Sequence, residues 1–211
     1  LKINSQFLWS YVQRAYMRSK NGDHISAIED FDNAIRIDPK KDYLFNSRGF
    51  SKAQTGDYIG AIKDFSSTLS LNPNNEVAYT SRAYYKTQIG DFKGALADYS
   101  TAIKIDPIEP QTYISRAWVN FNLGDYEQAN VDYEKVLDIG DNTQKLESVI
   151  YLIDNYLILS NLSKVPELIE KAKLLLNQSD NKEKETFLLF AESRYYINIG
   201  NFNKSEELAK K

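Results

Sequence analysis

Four arginines and four aspartates keep one spacing along the first two-thirds of the chain, and they are the charged residues best placed to do chemistry. Each aspartate follows its arginine by 16 residues, and the pair recurs every 34 residues. A guanidinium can hold a carboxylate through two hydrogen bonds. The pattern therefore predicts either a row of arginines that binds an acidic ligand or a set of structural ion pairs. The members of this Arg–Asp ladder are Arg14 and Asp30, Arg48 and Asp64, Arg82 and Asp98, and Arg116 and Asp132.

We favour structural ion pairs, because four balanced pairs leave no surplus charge for a ligand. Two pairings are open. Each arginine can meet the aspartate that follows it by 16 residues, or an aspartate such as Asp30 can meet Arg48 of the next repeat.

Residues that could support catalysis or bind a metal are scarce. The chain has no cysteine, and His24 is its one histidine. A Ser–His–Asp triad, a cysteine nucleophile and a His- or Cys-based metal site are therefore excluded. We expect His24 to pack at a turn, and we expect the protein to be no enzyme and to need neither metal nor cofactor.

The residues that would position the ladder recur at the same 34-residue step. A glycine suits the left-handed position after a helix, an aspartate next to it can cap the following helix, and a proline ends that helix. Each Arg–Asp pair is centred on such a glycine, so a helix–turn–helix unit would bring its two members side by side. The period therefore predicts stacked helical hairpins. Glycine followed by aspartate occurs at 22–23, 56–57, 90–91 and 124–125, and proline at 39, 73 and 107.

The second and third units resemble the tetratricopeptide repeat. The resemblance implies an all-α fold, a right-handed solenoid of antiparallel helical hairpins that forms a tetratricopeptide-like superhelix. It also implies a protein-binding scaffold. The matching residues are Ser47-Arg48-Gly49, Gly56-Asp57-Tyr58, Ala61-Ile62, Asp64-Phe65, Leu69 and Asn72-Pro73, and then Ser81-Arg82-Ala83 through Asp106-Pro107.

The regularity of the repeats falls off towards the end of the chain. We expect four regular repeats within residues 1–141 and two degenerate repeats over 142–211 that continue the same solenoid. Ser160 stands where the earlier repeats have their turn glycine, and the ladder arginine is missing from both degenerate repeats. The last repeat is expected to be truncated or to cap the stack, since a solenoid needs a polar end.

A set of aromatic and polar residues on the first helices is the candidate binding surface. In the family, this face of the first helix lines a concave groove that contacts ligands. Rings flanked by adaptable polar groups are typical of binding surfaces. The alternative is that the rings pack between neighbouring first helices; we favour the groove, because the chain has a complete set of core residues besides them. The candidate groove residues are Trp9, Tyr16, Tyr43, Asn46, Phe50, Gln54, Thr80, Tyr84, Gln88, Ile114, Trp118, Phe121 and Asn122.

The groove departs from the family's best-known ligand mode, in which cations and asparagines clamp a C-terminal carboxylate. At the positions of the clamp cations the chain has Val12, Asn46, Thr80 and Ile114, and rings replace the clamp asparagines. Only Lys20 adds a cation to this row. A carboxylate held there would lose its hydration without an adequate counter-charge, which costs several kcal/mol. We therefore expect a preference for apolar or aromatic partner residues rather than acidic tails.

Composition narrows the class of partner. A net charge of -3 argues against nucleic acid. The longest apolar stretch, at 149–159, is too short to insert in a membrane. We expect a protein or peptide partner; the alternative is a structural or oligomerisation module of a larger protein. The chain begins with Leu1, so both a cytoplasmic location and export after loss of an N-terminal signal are open, as is the oligomeric state.

Overall fold

The computed structural model describes residues 2–178 and 182–210, and helices joined by short connections account for these ranges. They contain twelve α-helices and no strand, which confirms the predicted all-α class. Among the described residues, no helix combines the length and the apolar character that crossing a membrane requires. The helices are α1 (Lys2–Lys20), α2 (His24–Ile37), α3 (Asp42–Gln54), α4 (Tyr58–Leu71), α5 (Glu76–Gln88), α6 (Phe92–Ile105), α7 (Pro110–Asn122), α8 (Tyr126–Ile139), α9 (Asn142–Ile158), α10 (Val165–Leu176), α11 (Lys182–Asn198) and α12 (Phe202–Ala209).

The first four helix pairs turn as the sequence predicts, at a glycine followed by a capping aspartate. Gly90, for example, has a φ of 82°, and the side chain of Asp91 accepts a hydrogen bond of 3.0 Å from the backbone N–H of Gly94. The fifth pair keeps this geometry with a different residue, because Ser160 takes a φ of 55°. The turn is thus conserved in shape although the residue that favours it is absent.

The chain divides into two compact units, Leu1–Pro107 and Ile108–Lys211. The first unit holds α1 to α6, and each helix in it packs on the next one along the chain. Its hairpins close on fully buried rings such as Phe31 and Phe65. A small residue stands opposite each ring; at Gly49, for example, an added Cβ would lie 3.1 Å from the Phe65 ring.

The second unit holds α7 to α12. Its core centres on α9, which packs against α8, α10 and α11. Val149, Leu152 and Ile153 on this helix are fully buried. The side-chain amide of Asn155 donates a hydrogen bond of 2.8 Å to Asn130 of α8. The predicted grouping, with four regular repeats over 1–141 and two degenerate repeats over 142–211, has other bounds than these two units and stays a prediction.

Candidate functional site

Each arginine of the Arg–Asp ladder forms two hydrogen bonds with the aspartate 16 residues later. Arg48 Nε lies 2.8 Å from Asp64 Oδ2, and Arg48 Nη2 lies 2.6 Å from Asp64 Oδ1. The corresponding distances in the other three pairs lie between 2.6 and 2.9 Å. Of the two pairings that the spacing allows, the structure therefore has the one within a single hairpin.

The ladder is more deeply buried on its acidic side than on its basic side. The four aspartate side chains are 2–6% exposed. The side chains of Arg48, Arg82 and Arg116 are 16%, 18% and 23% exposed, whereas Arg14 at the start of the chain is 55% exposed. These guanidinium groups neutralise buried carboxylates, which favours structural ion pairs over a row of cations offered to a ligand.

The structure adds a second cation to the first three pairs. Arg18, Lys52 and Lys86 lie 2.8–2.9 Å from Asp30, Asp64 and Asp98, respectively. These three residues follow the same 34-residue step but were not predicted. In the fourth repeat this position is Asn120, and in the described part of the chain Arg116 is the one cation that pairs with Asp132.

The pKa of the fourth aspartate is shifted in the opposite direction from that of the first. Hydrogen bonds from Arg14 hold the pKa of Asp30 below its ordinary value. Burial instead raises the pKa of Asp132, and the single guanidinium of Arg116 does not offset that effect.

We expect Asn120→Lys to lower the pKa of Asp132, because a lysine there would stand where Lys86 meets Asp98 one repeat earlier. A carboxyl with a raised pKa in the folded state favours folding as pH falls through that pKa; the variant should lose this acid-side gain and be more stable than the wild type at neutral pH. Carboxyl-carbon NMR titration of both proteins measures the shift. The pKa of Asp30 in the first unit serves as the internal control and should not move; an unchanged pKa at Asp132 would contradict the prediction.

Three rings on the first helices of unit 1, Tyr16, Phe50 and Tyr84, form what we call the aromatic face. They are 43%, 38% and 51% exposed. The first two pack edge-on against buried rings: Tyr16 lies 5.5 Å from Phe31, and Phe50 lies 5.1 Å from Phe65, between ring centroids. Their positions are therefore fixed by the core while one side of each ring stays open to solvent. Trp9 and Tyr43 on the same helices are 64% and 38% exposed.

The polar candidates in unit 1 divide into two groups. Gln54 and Gln88 are exposed and can offer their amides to a partner. Thr80 is partly buried and donates its hydroxyl to carbonyls of its own helix, at Glu76 and Val77. Asn46 is also partly buried, and its Oδ1 is fully enclosed without a hydrogen-bond partner among the described residues.

The candidates in unit 2 also differ from one another. Trp118 is 43% exposed, Phe121 packs edge-on against Tyr126 at 5.4 Å, and the Asn122 amide donates to the Trp118 carbonyl at 2.7 Å. Ile114 differs from the expectation, because only 6% of it is exposed and it belongs to the core.

A physical reason for the burial of Ile114 lies in its place in the repeat. Val12, three repeats earlier at the same position, is 3% exposed, and Asn46 and Thr80 at that position are partly buried. This position points partly inward in the repeats, so Ile114 does not line an exposed surface.

A cavity of about 220 Å³ opens beside the aromatic face between the first two hairpins. Its hydroxyl groups bond to one another: Tyr16 to Ser47 at 2.8 Å, and Ser19 to Ser51 at 2.9 Å. His24 contributes to the wall, which agrees with its expected packing at the turn. The lining residues are Tyr16, Ser19, His24, Phe31, Ser47, Phe50, Ser51 and Gln54.

The stacked hairpins and their ion-pair ladder define a helical-repeat protein. The tetratricopeptide-repeat family matches the chain at residues 10–41, 77–109 and 110–140. These stretches coincide with the hairpins α1–α2, α5–α6 and α7–α8. These three stretches of the chain are tetratricopeptide repeats, and proteins with such repeats mediate protein–protein interactions and are typically non-enzymatic scaffolds.

Solved structures share the fold at low sequence identity. The crystal structure of the protein MamA aligns with a TM-score of 0.78 at 17% identity, covering 85% of this chain and 97% of that one. A tetratricopeptide repeat protein from Parabacteroides merdae aligns with a TM-score of 0.78 at 19% identity, covering 97% and 78%.

A third structure aligns over a little more than half of the chain. The first tetratricopeptide domain of Spaghetti (RPAP3), bound to the HSP90 peptide SRMEEVD, has a TM-score of 0.55 at 18% identity and covers 57% of this chain and 95% of that one. At these identities the likeness shows the fold alone. A search of curated proteins finds no match to this chain.

Proposed function

We propose that this protein is a scaffold or adaptor that binds a segment of another protein through exposed rings on its first helices. Apolar or aromatic side chains of the partner stack on these rings, and the protein catalyses no reaction. The observation that carries the proposal is the aromatic face, where Tyr16, Phe50 and Tyr84 are exposed at one repeat position although the core beneath them is complete.

Rigid rings suit this role for two reasons. A ring that is held by the core loses little conformational freedom when a partner covers it, so more of the contact energy appears as affinity. The Tyr16 and Phe50 rings are held in this way by Phe31 and Phe65. Neighbouring amides, such as those of Gln54 and Gln88, can satisfy the partner's backbone, which would otherwise be buried without hydrogen bonds.

The charges of the surface favour an apolar partner over an acidic one. Two matched structures hold the peptides SRMEEVD and SGPTIEEVD, which are acidic at their C-terminal ends. In this chain the repeat position that would supply clamp cations holds Val12, Asn46 and Thr80. The ladder arginines of the same helices already pair with buried aspartates. A carboxylate bound here would therefore lack a counter-charge.

A peptide library displayed against the wild-type protein tests the proposal. We expect enrichment of peptides with aromatic or large aliphatic residues. Their affinity should fall less than about threefold between about 50 and 150 mM salt, because burial rather than charge supplies the binding energy. Enrichment of acidic C-terminal peptides, with affinity collapsing at the higher salt, would contradict the proposal.

A structural or oligomerisation role is the second candidate. It is favoured by exposed rings on the last hairpin, where Phe187, Phe190 and Phe202 are 51%, 63% and 67% exposed. Exposed apolar patches of this kind mark contact sites between proteins. Sedimentation over a range of concentrations separates the two functions: a mass that rises with concentration and falls back in Phe202→Glu favours the second.

A further inference from the structure

The cavity between the first two hairpins has a counterpart one repeat later that is filled. Residues at equal positions in successive repeats are 34 apart, so the walls Tyr16, His24 and Phe31 correspond to Phe50, Tyr58 and Phe65. Ser51, at the bottom of the cavity, corresponds to Tyr85. The two sites thus share their wall positions and differ in the residue between them.

In the filled counterpart, Tyr85 is stacked on both walls. Its ring lies 5.9 Å from Phe65 with an interplanar angle of 5°, and 5.5 Å from Tyr58 with an angle of 27°. The tyrosine belongs to α5 and reaches into the site from the next hairpin. Ser51 occupies the same place on α3 and carries no ring, and the cavity of about 220 Å³ lies beside it.

The wall geometry is nearly the same in the two sites. Tyr16 and Phe31 meet at 5.5 Å and 82°, and Phe50 and Phe65 meet at 5.1 Å and 74°. The serine hydroxyls at the open site bond to one another, and Ser51 also donates to the Ser47 carbonyl at 3.1 Å. A ligand therefore need not supply hydrogen bonds to the serines. The buried Nδ1 of His24 has no hydrogen-bond partner among the described residues, and the site lacks the ring that Tyr85 supplies one repeat later.

We propose that this cavity receives one aromatic side chain of the partner, a tyrosine or a phenylalanine. The ring lies against Tyr16, His24 and Phe50, the walls of the cavity that solvent can reach, beside the position that corresponds to Tyr85 one repeat later. The inference rests on the proposed function, since it names the residue class that anchors the bound segment. A single side chain that fills a pocket beside half-exposed rings is the usual form of a binding hot spot. Stacking between ring walls makes an aromatic side chain preferable to an aliphatic one of equal size.

The test uses 4-methylphenol, the side chain of tyrosine, as the probe and follows the ring resonances of His24 and Phe31 by NMR. We expect saturable shifts in roughly the millimolar range. The saturated analogue, 4-methylcyclohexanol, should bind about three- to tenfold more weakly, because it loses the ring stacking. Equal affinities for the two probes, or no saturable shift with 4-methylphenol, would overturn the proposal.

Substitutions at positions 51 and 85 show whether the probe binds in this cavity. Ser51→Tyr should weaken probe binding at least about tenfold, because the new ring occupies the site as Tyr85 does. Tyr85→Ser should open a second site, seen as probe-induced shifts at Tyr58 and Phe65. Ser51→Ala is the matched control, which leaves the cavity open and should keep the wild-type affinity. Undiminished binding in a folded Ser51→Tyr protein contradicts the proposal. If Ser51→Tyr does not fold, the presence or absence of the second site in Tyr85→Ser decides.

The pocket and the proposed function fail in different experiments. Peptide binding that survives Ser51→Tyr, from peptides that carry an aromatic residue, would overturn the pocket and leave the scaffold function intact. If the library instead yields no peptide that binds the wild-type protein, the proposed function is wrong, whatever the result with 4-methylphenol.

Discussion

Arg116→Ala should lower the free energy of unfolding by about 3–5 kcal/mol. The substitution removes both hydrogen bonds, of 2.9 and 2.6 Å, that Arg116 makes with Asp132. The Asp132 side chain is 3% exposed, and among the described residues no other cation pairs with it. A buried carboxylate without a counter-charge is one of the costliest defects that a single substitution can create. Urea denaturation followed by circular dichroism measures the loss.

Arg14→Ala is the matched control, because Arg14 makes the same ion pair within the first hairpin at a more exposed position. Its side chain is 55% exposed, and Arg18 remains 2.8 Å from Asp30 when it is removed. We expect a much smaller loss for this variant. Arg82→Ala should fall between the two, since Lys86 still pairs with Asp98. A loss under about 1 kcal/mol for Arg116→Ala, as at a surface pair, would show that this arginine is available to ligands.

Trp118→Ala should cost at least about 2 kcal/mol of peptide affinity, which is about 30-fold in Kd. Trp118 is 43% exposed, and its neighbours in the helix, Ala117 and Val119, are buried. The helix therefore holds the backbone of Trp118 in place while its side chain stays accessible to a partner. Tryptophan is among the residue types most often found to dominate binding energy. Isothermal titration of a library-selected peptide into wild type and variant gives the difference.

Phe202→Ala provides the comparison for Trp118→Ala. Phe202 is 67% exposed and lies in the same unit, on the last helix and away from the candidate surface. Its removal should leave peptide affinity within about twofold of the wild type, as expected for a residue outside the contact. Equal losses from both variants would mean that binding does not depend on the first-helix rings.

The sequence predicted those parts of the fold that depend on one residue type at one position. The turn glycines and capping aspartates have the conformations that their chemistry requires, since few other residues tolerate a positive φ. The Arg–Asp spacing is centred on the turn, so antiparallel geometry alone brings Arg48 and Asp64 together. Even the fifth turn could be located, although Ser160 replaces its glycine.

What the sequence could not supply was the direction of side chains between neighbouring hairpins. Ile114 was predicted to line the groove, yet its repeat position points partly inward, as Val12 shows. The cavity depends on the absence of a ring at Ser51, and an absence becomes visible only when Tyr85 is seen filling its counterpart. The second cations were within reach of sequence analysis, because Arg18, Lys52 and Lys86 follow the repeat period.

The Arg–Asp ladder has a consequence for how such a chain grows and diverges. Both members of each pair lie in one hairpin, so a duplicated 34-residue segment carries its own closure and can be copied or removed as a whole. The contacts of Tyr16 with Ser47, and of Tyr85 with Tyr58, instead cross from one hairpin to the next. The residues at these joints differ from repeat to repeat: Phe50 stands at the position of Tyr16, and Ser51 at that of Tyr85. A repeat moved to another place in the chain would therefore keep its own closure but meet different neighbours.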